Sequence, residues 1–572
     1  MKTLKYLIFG LIFIAWGCKK ETDKFLTKLP LDQLTDQTFW TSEGNVRTFA
    51  YGFYPLYFIG YSSGFDLTWG GYFSGESLND DFAPTTPTTF TRNVPTTGGG
   101  WSFTNIRKAN LFIDRIKTVP MSAEAIKHWT GVARFFRALE YASKVKSFGD
   151  YPWYGQVLSE TDNQALYKPR DPRTLMMDSV LADFKYASEN VRATDAATGP
   201  QGLIVNRNVV LAFMSRVFLF EGTWEKYQSN NAAKATEYLQ AAKGAANEII
   251  TNGGYTVASD YRKLFNSLDL STNPEIILYR KYQTGLLTHS LQSYVNKEPQ
   301  TGASKNAIES YLCKDGLPIG VSPLYKGDKT ITNVMTDRDP RINATFVNAL
   351  RLNGIVANYS TSGYAVLKFF NEDIKDLTNG NSNLNDTQAP VIRYGEVLMN
   401  YAEATAELGT LTQADLDISI NKLRKRAGIN LPNLQVIGNL PAVNNVVYDD
   451  SKRDATVPPL IWEIRRERRI ELMMEGFRND DLRRWKKYEY LDTQANPDIN
   501  LGAWINRVDY PAPAKLSVTL QNNASQGYIV PAPKAETQRI FNDPKVYLNP
   551  LPLDQIKLYK DQGVDLKQNP GW

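Results

Sequence analysis

Three pairs of adjacent aspartates are the residues of this sequence that come nearest to acid–base chemistry. They are Asp80-Asp81, Asp449-Asp450 and Asp480-Asp481. Glycoside hydrolysis needs two carboxylates that face each other across the scissile bond, whereas neighbouring residues of a strand or a helix point in different directions. The pairs therefore do not predict a hydrolytic site. A hydrolase whose carboxylates come from distant segments is left open by the sequence.

Other groups that commonly carry catalysis are few and isolated. The histidines, His128 and His289, have no neighbouring Cys or His at a metal-binding spacing. The two cysteines, Cys18 and Cys313, could form a disulfide only if both stayed free in the mature protein. No phosphate-binding loop, nucleophile elbow or zinc-binding helix occurs. We therefore expect no catalysis, no cofactor and no metal site.

The most charged segment is 461–487, IWEIRRERRIELMMEGFRNDDLRRWKK, with nine basic and six acidic residues. Pro458 and Pro459 before it fit the first turn of a helix. Four apolar residues at helical spacing predict one buried stripe on this helix: Ile470, Met473, Met474 and Phe477. After Gly476, Asn479 or Asp480 is expected to cap a second short helix.

Charges of both signs are interleaved along this helix. Three pairs of opposite charge lie three residues apart and are each worth only ~0.2–0.5 kcal/mol: Glu463 with Arg466, Arg468 with Glu471, and Glu475 with Arg478. Four glutamates also form a like-charge row, which requires cations or donors from other parts of the chain: Glu463, Glu467, Glu471 and Glu475. Because carboxylates repel phosphate, no nucleic-acid partner is expected. The helix is predicted to be an internal strut that contacts no ligand of the protein.

Composition places the chain among globular proteins, with 42% hydrophobic and 22% charged residues. The net charge of +5 gives no argument for a polyanion partner. Aromatic residues make up 12% of the chain, and surface aromatics commonly mark recognition sites.

The first residues, MKTLKYLIFGLIFIAWGCKKETD, are typical of an export signal rather than of a folded domain. Lys2 and Lys5 precede an apolar run that is too short to span a bilayer as a mature helix. The run ends at Cys18 in a segment that resembles a bacterial lipobox, although Ala15 and Trp16 depart from the usual residues. We expect a signal peptide over 1–17 and lipidation of Cys18, which would anchor the protein through acyl chains. The alternative is a plain secretory signal with an incidental cysteine.

Helical periodicity recurs through much of the chain. It predicts helices over 42–57, 105–119, 122–148, 172–191, 206–227, 232–251, 390–408 and 413–427. In 232–251 small residues alternate with bulky ones, which resembles the packing of tetratricopeptide helix pairs. The segments between them, above all 60–100 and 253–380, are rich in Gly, Pro, Thr and Asn and show no lasting period.

Five segments resemble the SusD/RagB family, the surface nutrient-binding lipoproteins of Bacteroidetes. The arginine-dense segment matches the family's most recognisable motif, and the other matches follow in the family's order. These are WTGVARFFRALEYASKVKSFGDYPW (129–153), KDGLPIG with TDRDPRINATF (314–346), IRYGEVLMNYAEATAELG with INKLRKRAG (392–428), and the terminal QNPGW.

The resemblance implies a mainly α fold, in which a tetratricopeptide-like helical scaffold carries an irregular, loop-rich subdomain. One SusD-like domain would then span 18–572. Its helical part would lie mainly at 42–58, 104–252 and 390–487. Its loop-rich part would lie mainly at 60–103, 253–389 and 488–572.

The resemblance also implies a function without catalysis. Proteins of this family capture oligosaccharides at the cell surface and cover a SusC-like, TonB-dependent transporter of the outer membrane. The helical side would face the transporter and the loop-rich side would hold the ligand. The alternatives are the same architecture binding peptides, as some RagB-like proteins do, and a tetratricopeptide-type scaffold that binds only protein.

Candidate ligand-binding residues come from the aromatic loop 66–101, because sugar faces suit flat rings flanked by amides and carboxylates. They are Trp69, Tyr72, Asn79, Asp81 and Trp101. The family resemblance adds Tyr294 and Tyr325 from the middle irregular region. Trp69 or Trp101 could instead be core residues, and Asn79 and Asp81 could instead form turns.

Overall fold

Helices dominate the part of the chain that the computed structural model describes, which is residues 39–66, 78–91, 93–194, 202–510, 515–534 and 538–572. The helices are Glu43–Tyr51, Tyr54–Tyr57, Thr104–Ile116, Ala123–Phe148, Asn163–Leu166, Arg173–Asn190, Arg207–Tyr227, Ala232–Asn252, Lys263–Asn266, Leu291–Lys297, Lys305–Ser310, Ile331–Met335, Arg341–Thr345, Tyr394–Glu407, Gln413–Asp417, Ile420–Arg424, Pro459–Glu471, Arg478–Arg484 and Leu553–Asp561. Turns of 3-10 helix lie at Thr378–Gly380, Tyr488–Leu491, Pro497–Asn500, Arg507–Asp509, Gln521–Asn523 and Pro544–Tyr547. The predicted mainly α class is confirmed.

Strands are short and pair antiparallel in four small sheets. Phe82–Ala83 pairs with Gly302–Ala303, and Ile276–Arg280 with Ala389–Arg393. Gln435–Ile437, Leu440–Val443 and Val446–Val447 form a three-stranded sheet, and Trp504–Asn506 pairs with Gln526–Tyr528. None of these sheets forms a layer of its own, so the helices set the architecture.

Side-chain caps start two of the helices within one residue of the predicted positions. The Ser42 hydroxyl accepts from the backbone N–H of Asn45 at 3.3 Å, and the Ser122 hydroxyl accepts from that of Ala125 at 3.1 Å. The helix predicted over 42–57 is nevertheless two helices. The first ends at the Gly52 cap, and the second begins at Tyr54 with a proline in its first turn.

The long helices pack in antiparallel pairs through small residues. A Cβ atom at Gly131 would lie 2.9 Å from Val191 Cγ2, and one at Gly222 would lie 2.9 Å from the backbone nitrogen of Leu239. Glycine therefore allows Ala123–Phe148 to approach the end of Arg173–Asn190, and Arg207–Tyr227 to approach Ala232–Asn252. This close approach is the tetratricopeptide-like packing that the small residues predict. The pairs enclose a core rich in phenylalanine: Phe53, Phe112, Phe135, Phe136, Phe184 and Phe218.

Two predicted helices have different bounds in the structure. Residues 389–393 form a strand, and the helix begins only at Tyr394. The apolar Pro-Val-Ile run pairs with Ile276–Arg280, so it is buried as a strand although it continues the helical pattern. The helix predicted over 413–427 is interrupted at Ser419, whose backbone leaves the helical region (φ −126°, ψ −98°).

The arginine-dense helix, Pro459–Glu471 (hereafter the arginine helix), is shorter than its apolar stripe predicts. The chain turns at Met474 and Gly476, whose φ angles are +63° and +85°, before Arg478–Arg484 begins. Neither Asn479 nor Asp480 caps this second helix. Asn479 accepts from the Tyr488 hydroxyl at 3.0 Å, and Asp480 from Lys146 Nζ at 2.7 Å.

Cations from distant segments surround the glutamate row of the arginine helix, as its like charges require. Glu471 accepts from Arg393 and Arg426 at 2.8 Å and from Arg341 at 3.2 Å. Burial alone would raise the pKa of Glu471, but the three guanidinium groups outweigh it and lower this pKa to about 2.

Two other glutamates of the predicted row are neutralised in the same way. Arg424 donates to Glu467 at 2.7 Å, and Lys368 donates to Glu475 at 2.8 Å. Of the three predicted pairs within the helix, only Glu463 with Arg466 forms, at 3.2 Å. Arg468 instead donates to Asp481, and Arg478 to Asp80. Two of the three predicted pairs are therefore wrong, because the buried faces of other elements offer better-placed partners.

Candidate ligand-binding cleft

A neutral, hydroxyl-rich cleft of about 340 Å³ lies in the irregular part of the fold. Three walls enclose it: the segment 294–301, the turn 353–361 and the segment 517–531. We call it the hydroxyl cleft. It is lined by Thr85, Tyr294, Pro299, Gln300, Thr301, Asn353, Tyr359, Ser360, Thr361, Ser517, Val518, Thr519, Ile529, Val530 and Pro531. None of these lining residues is a carboxylate or a basic residue, so the cleft suits an uncharged polar ligand.

Thr361 joins the cleft to the small sheet that begins at Phe82. Its hydroxyl donates to the carbonyl oxygen of Ala83 at 2.7 Å and accepts from the backbone N–H of Gly302 at 2.9 Å. Glycine is required at 302, because a Cβ atom there would lie 2.0 Å from Ser362 Oγ and 2.7 Å from Ser360 Oγ. The sequence of this turn thus brings three hydroxyl groups against one glycine.

Gln300 holds two walls together from within. Its backbone N–H donates to the carbonyl oxygen of Tyr359 at 2.9 Å, and its carbonyl accepts from Thr361 at 3.0 Å. The buried amide side chain accepts from Val366 N–H at 2.9 Å and donates to the carbonyl of Val295 at 3.2 Å. All four groups of this residue are satisfied inside the protein, so Gln300 positions the walls rather than a ligand.

One backbone hydrogen bond ties the third wall to the turn, and a second joins two parts of this wall. Ser517 N–H donates to the carbonyl of Asn353 at 2.9 Å, and Val530 N–H donates to that of Thr519 at 2.8 Å. The side chains of Ser517 and Thr519 remain exposed. This wall therefore presents hydroxyl groups on a fixed backbone.

Tyrosine rings and one free hydroxyl offer the contacts for a ligand. Tyr294 is half-buried, and its hydroxyl accepts from the backbone N–H of Thr301 at 2.8 Å, which fixes the ring at the cleft. Tyr359 is also half-buried. Ser360 Oγ is buried and has no hydrogen-bond partner among the described residues. A ligand hydroxyl could pair with it.

Of the residues that the sequence predicts for ligand binding, the structure places Tyr294 in this cleft. Trp69, Tyr72 and the predicted lipidation site Cys18 lie outside the described residues. Tyr325 is half-buried in a different place, with its ring centroid 5.5 Å from the Arg338 guanidinium. Their roles in binding stay predictions.

Asp81 contacts the arginine helix, and neither Asn79 nor Asp81 lines the hydroxyl cleft. The Asn79 side chain accepts from Asp81 N–H at 3.0 Å, which is the turn-forming geometry of asparagine. Asp81 is buried and accepts from Arg469 Nε at 2.8 Å. Both side chains thus have partners within the protein, and their predicted ligand contacts remain without support from this geometry.

Trp101 lies in the core of the helical scaffold. Its ring is only 7% exposed and packs against Tyr151 and Phe148, with centroids 4.3 and 5.2 Å apart. This is the core position that the sequence allows as the alternative for Trp101. A ligand stacked on the face of this ring would have to displace those neighbours.

Several cleft residues are missed by reasoning from the sequence. They include Tyr359, Ser360, Thr361, Ser517 and Thr519. The run Tyr-Ser-Thr-Ser-Gly at 359–363 is a detectable signal, since it concentrates hydroxyl groups beside a ring. Serine and threonine are so common in turns, however, that the run alone does not indicate a site.

The acidic pairs and the histidines are engaged in structural contacts. Asp80 accepts from Arg478 at 2.6 Å, Asp449 from Arg453 at 2.7 Å and Asp481 from Arg468 at 2.9 Å. His289 is buried against the carbonyl of Thr387, and burial lowers its pKa to about 3. Within the described ranges, no three His, Cys, Asp or Glu residues are grouped so as to hold a metal ion. In the same ranges, no helix has the length and apolar content to cross a membrane.

Comparison with known proteins identifies relatives along nearly the whole chain. The model of the SusD family matches residues 275–572, slightly more than half of the sequence. A SusD-like protein of Formosa agariphila is 22% identical over 514 residues, which cover 85% of this chain and 93% of that protein.

Solved structures with the same fold include proteins described as carbohydrate-binding. A SusD-like carbohydrate-binding protein of Bacteroides fragilis superposes with a TM-score of 0.65 at 21% identity, covering 92% of this chain and 99% of that one. A laminarin-binding SusD-like protein superposes with a TM-score of 0.57 at 18% identity, covering 93% and 100%. At these identities the likeness establishes the fold alone.

Proposed function

The chain belongs to the SusD family, and on this premise we propose that it is a surface glycan-binding lipoprotein. It captures oligosaccharides, releases them to a SusC-like, TonB-dependent transporter of the outer membrane, and catalyses no reaction. The observation that carries the proposal is the hydroxyl cleft, with Tyr294 and Tyr359 beside a row of uncharged polar groups.

The chemistry of the cleft suits a neutral saccharide. A pyranose presents apolar ring faces and a hydroxylated rim, so it needs rings to pack on and groups that both donate and accept hydrogen bonds. Hydroxyl and amide groups do both, and the cleft supplies them on three walls. Its volume of about 340 Å³ lies at the lower end of the range for small-molecule sites. It would hold one or two sugar residues of a longer chain. The carbohydrate- and laminarin-binding relatives support this ligand class.

Calorimetry with a panel of neutral oligosaccharides tests the proposal. Replacement of Tyr294 or Tyr359 by Ala should weaken binding of the recognised saccharide by about tenfold or more, because each ring contact is lost. Tyr51→Ala is a matched control, since Tyr51 is a surface tyrosine on the helix Glu43–Tyr51. Binding of peptides but of no saccharide would replace the glycan proposal with peptide capture. Co-purification of the transporter without any small ligand would favour a protein-binding scaffold.

The anchor part of the proposal rests on the segment that ends at Cys18. Acyl chains on this cysteine would hold the protein at the outer membrane after the signal peptide is removed. Labelling of cells with a palmitate analogue should mark the wild-type protein and not Cys18→Ser. Cys313→Ser is the control, because Cys313 is buried. Equal labelling of wild type and Cys18→Ser would rule out the anchor.

A further inference from the structure

A second cavity of about 340 Å³ lies against the arginine helix and shares no lining residue with the hydroxyl cleft. We call it the arginine cavity. Its walls carry three large rings and ten charged residues. The rings are Trp462, Trp485 and Tyr490. The charged residues are Asp80, Glu309, Asp450, Lys452, Arg453, Asp454, Arg465, Arg466, Arg469 and Arg478. The sequence predicts that the arginine helix is a strut, and this cavity is an opening on one side of it.

Most charged groups of the cavity already have partners. Arg466 pairs with Asp450, Arg469 donates to Asp81 at 2.8 Å, and Arg478 donates to Asp80. Lys452 donates to Glu309 at 2.9 Å, and Lys487 pairs with Asp454 at 2.7 Å. These pairs fix the walls and leave little of their charge for a ligand.

Two hydrogen-bond donors in residues that line the cavity have no such partner. Trp462 Nε1 and Arg465 Nε are buried and have no hydrogen-bond partner among the described residues. The two residues are three apart on the arginine helix, so their side chains lie on the same face. A buried N–H without an acceptor is energetically unfavourable, so two of them in residues that line one cavity indicate a missing acceptor.

The Arg465 guanidinium is held in place for such an acceptor. Its Nη2 donates to Glu407 Oε1 at 3.0 Å, and the group lies 4.4 Å from the ring centroid of Trp485 and 5.1 Å from that of Tyr227. The side chain is 7% exposed. Stacking on both rings and the bond to Glu407 restrict the guanidinium plane, and Nε is left as a buried donor without an acceptor in a residue that lines the cavity.

We propose that the arginine cavity binds a carboxylate, with its oxygens accepting from Arg465 Nε–H and Trp462 Nε1–H. Both atoms can only donate, so a ligand group must accept, and a carboxylate offers two acceptor oxygens. The rings beside the donors suit the apolar face of a sugar or a short aliphatic chain. The carboxylate would belong to a uronic acid or to the carboxyl terminus of a peptide.

Titration of the full-length mature protein, labelled with 15N at the tryptophan indoles, tests this site directly. Trp462→Phe identifies the Trp462 indole resonance, because that signal disappears. Glucuronate should shift this resonance in the wild type and glucose should not. N-acetylglycine distinguishes the two sources: a shift with glucuronate alone indicates a uronic acid, and an equal shift with N-acetylglycine indicates recognition of the carboxylate itself.

Variants separate this site from the hydroxyl cleft and from the fold. Arg465→Lys keeps a cation within reach of Glu407 but removes Nε, and it should weaken glucuronate binding about tenfold, equivalent to about 1.4 kcal/mol. Trp504→Phe is the matched control, because Trp504 lies on the strand Trp504–Asn506 outside the cavity. Tyr294→Ala should leave the titration unchanged even if it abolishes binding of neutral glycans. The proposal is overturned if glucose and glucuronate act alike, or if no compound moves the Trp462 signal.

Discussion

Arg426 Nη2 donates to Glu471 Oε1 at 2.8 Å inside the core, although the two residues are 45 positions apart in the chain. Both side chains are fully buried. The same carboxylate oxygen also accepts from Arg393, and Arg393 in turn binds Glu275 and Glu475. The arginine helix is therefore joined by ion pairs to three other segments, and its motif residues serve the fold rather than a nucleic-acid surface.

Loss of one carboxylate from this network should be strongly destabilising. Glu471→Ala leaves Arg341, Arg393 and Arg426 with too few counter-charges in a buried site. We expect the free energy of unfolding to fall by about 3–5 kcal/mol. Thermal denaturation followed by circular dichroism measures it as a lower midpoint. Glu372→Ala is the control, because Glu372 pairs with Arg262 at the surface and should be worth at most about 1 kcal/mol. Equal losses of stability in Glu471→Ala and Glu372→Ala would contradict a larger stabilising contribution from the buried network.

Acid should destabilise the protein through the same network. The arginines outweigh burial and lower the folded-state pKa of Glu471 and of Glu403 to about 2, from an ordinary value of 4.5. Because the unfolded chain takes up protons first, this stabilisation is complete above about pH 4.5 and is lost as the pH falls towards 2. Urea unfolding midpoints measured between about pH 6 and about pH 3 should decline accordingly. Glu403→Gln should decline less steeply, and a slope equal to that of the wild type would refute the assignment.

The contribution of Glu225 to folding stability should change with pH in the opposite direction. Burial and the neighbouring Glu221 raise its pKa to about 7, while Arg173 only partly compensates at 3.9 Å. The folded state then holds a proton that the unfolded state releases, so this group lowers stability as the pH rises from about 4.5 to about 7. Glu225→Gln should therefore raise the melting midpoint at about pH 8 and change it little at about pH 5.

The contrast with Glu221 sharpens that test. Glu221 accepts from Arg173 through both oxygens, at 2.7 and 2.6 Å. Glu221→Gln should be destabilising at both pH values, because it removes the counter-charge of a buried guanidinium. Stabilisation by Glu221→Gln, or none by Glu225→Gln at alkaline pH, would reverse the roles assigned to the two carboxylates.

Gly302 should be indispensable to the hydroxyl cleft. In Gly302→Ala the new Cβ would collide with Ser362 and Ser360, so the turn must move at a cost of about 1–3 kcal/mol and the cleft must change shape. We expect a lower melting midpoint together with weaker saccharide binding in calorimetry. Gly244→Ala is the control, since a Cβ there meets nothing within 4 Å and Gly244 lies inside a helix. That change should be neutral or stabilising by up to about 1 kcal/mol.

Much of the helical scaffold could be predicted because helical periodicity is a local property. The spacing of Trp129, Val132, Phe136 and Val145 reports burial on one face, and Ser122 marks the start of that helix within one residue. The strand at 389–393 was wrongly predicted as helix, because its apolar residues are buried by a partner strand more than a hundred positions away. Short apolar runs do not distinguish a strand from a helix without that partner.

The candidate ligand sites could be predicted much less well, because their residues come together through the tertiary structure rather than through a local sequence pattern. Tyr294 could be placed in the ligand region through the family resemblance, whereas Tyr359, Ser360 and Thr519 lie in turns with no distinguishing signal. For the arginine helix, the sequence correctly required outside cations for its glutamates but could not name Arg341, Arg393 or Arg426 as their source. The unpaired donors of Trp462 and Arg465 are likewise invisible in the sequence, because pairing is a property of the neighbours.

The sequence by itself determined the fold class, the family and the starts of most long helices, because periodicity, capping and motif order are local properties of the chain. Only the tertiary structure decided which charges meet and where cavities remain. Electrostatic pairing and cavity formation depend on distances of a few ångströms between segments that are far apart in sequence, and no local pattern contains those distances. For that reason Glu471 could be recognised as needing partners, whereas the hydroxyl cleft and the arginine cavity could only be observed.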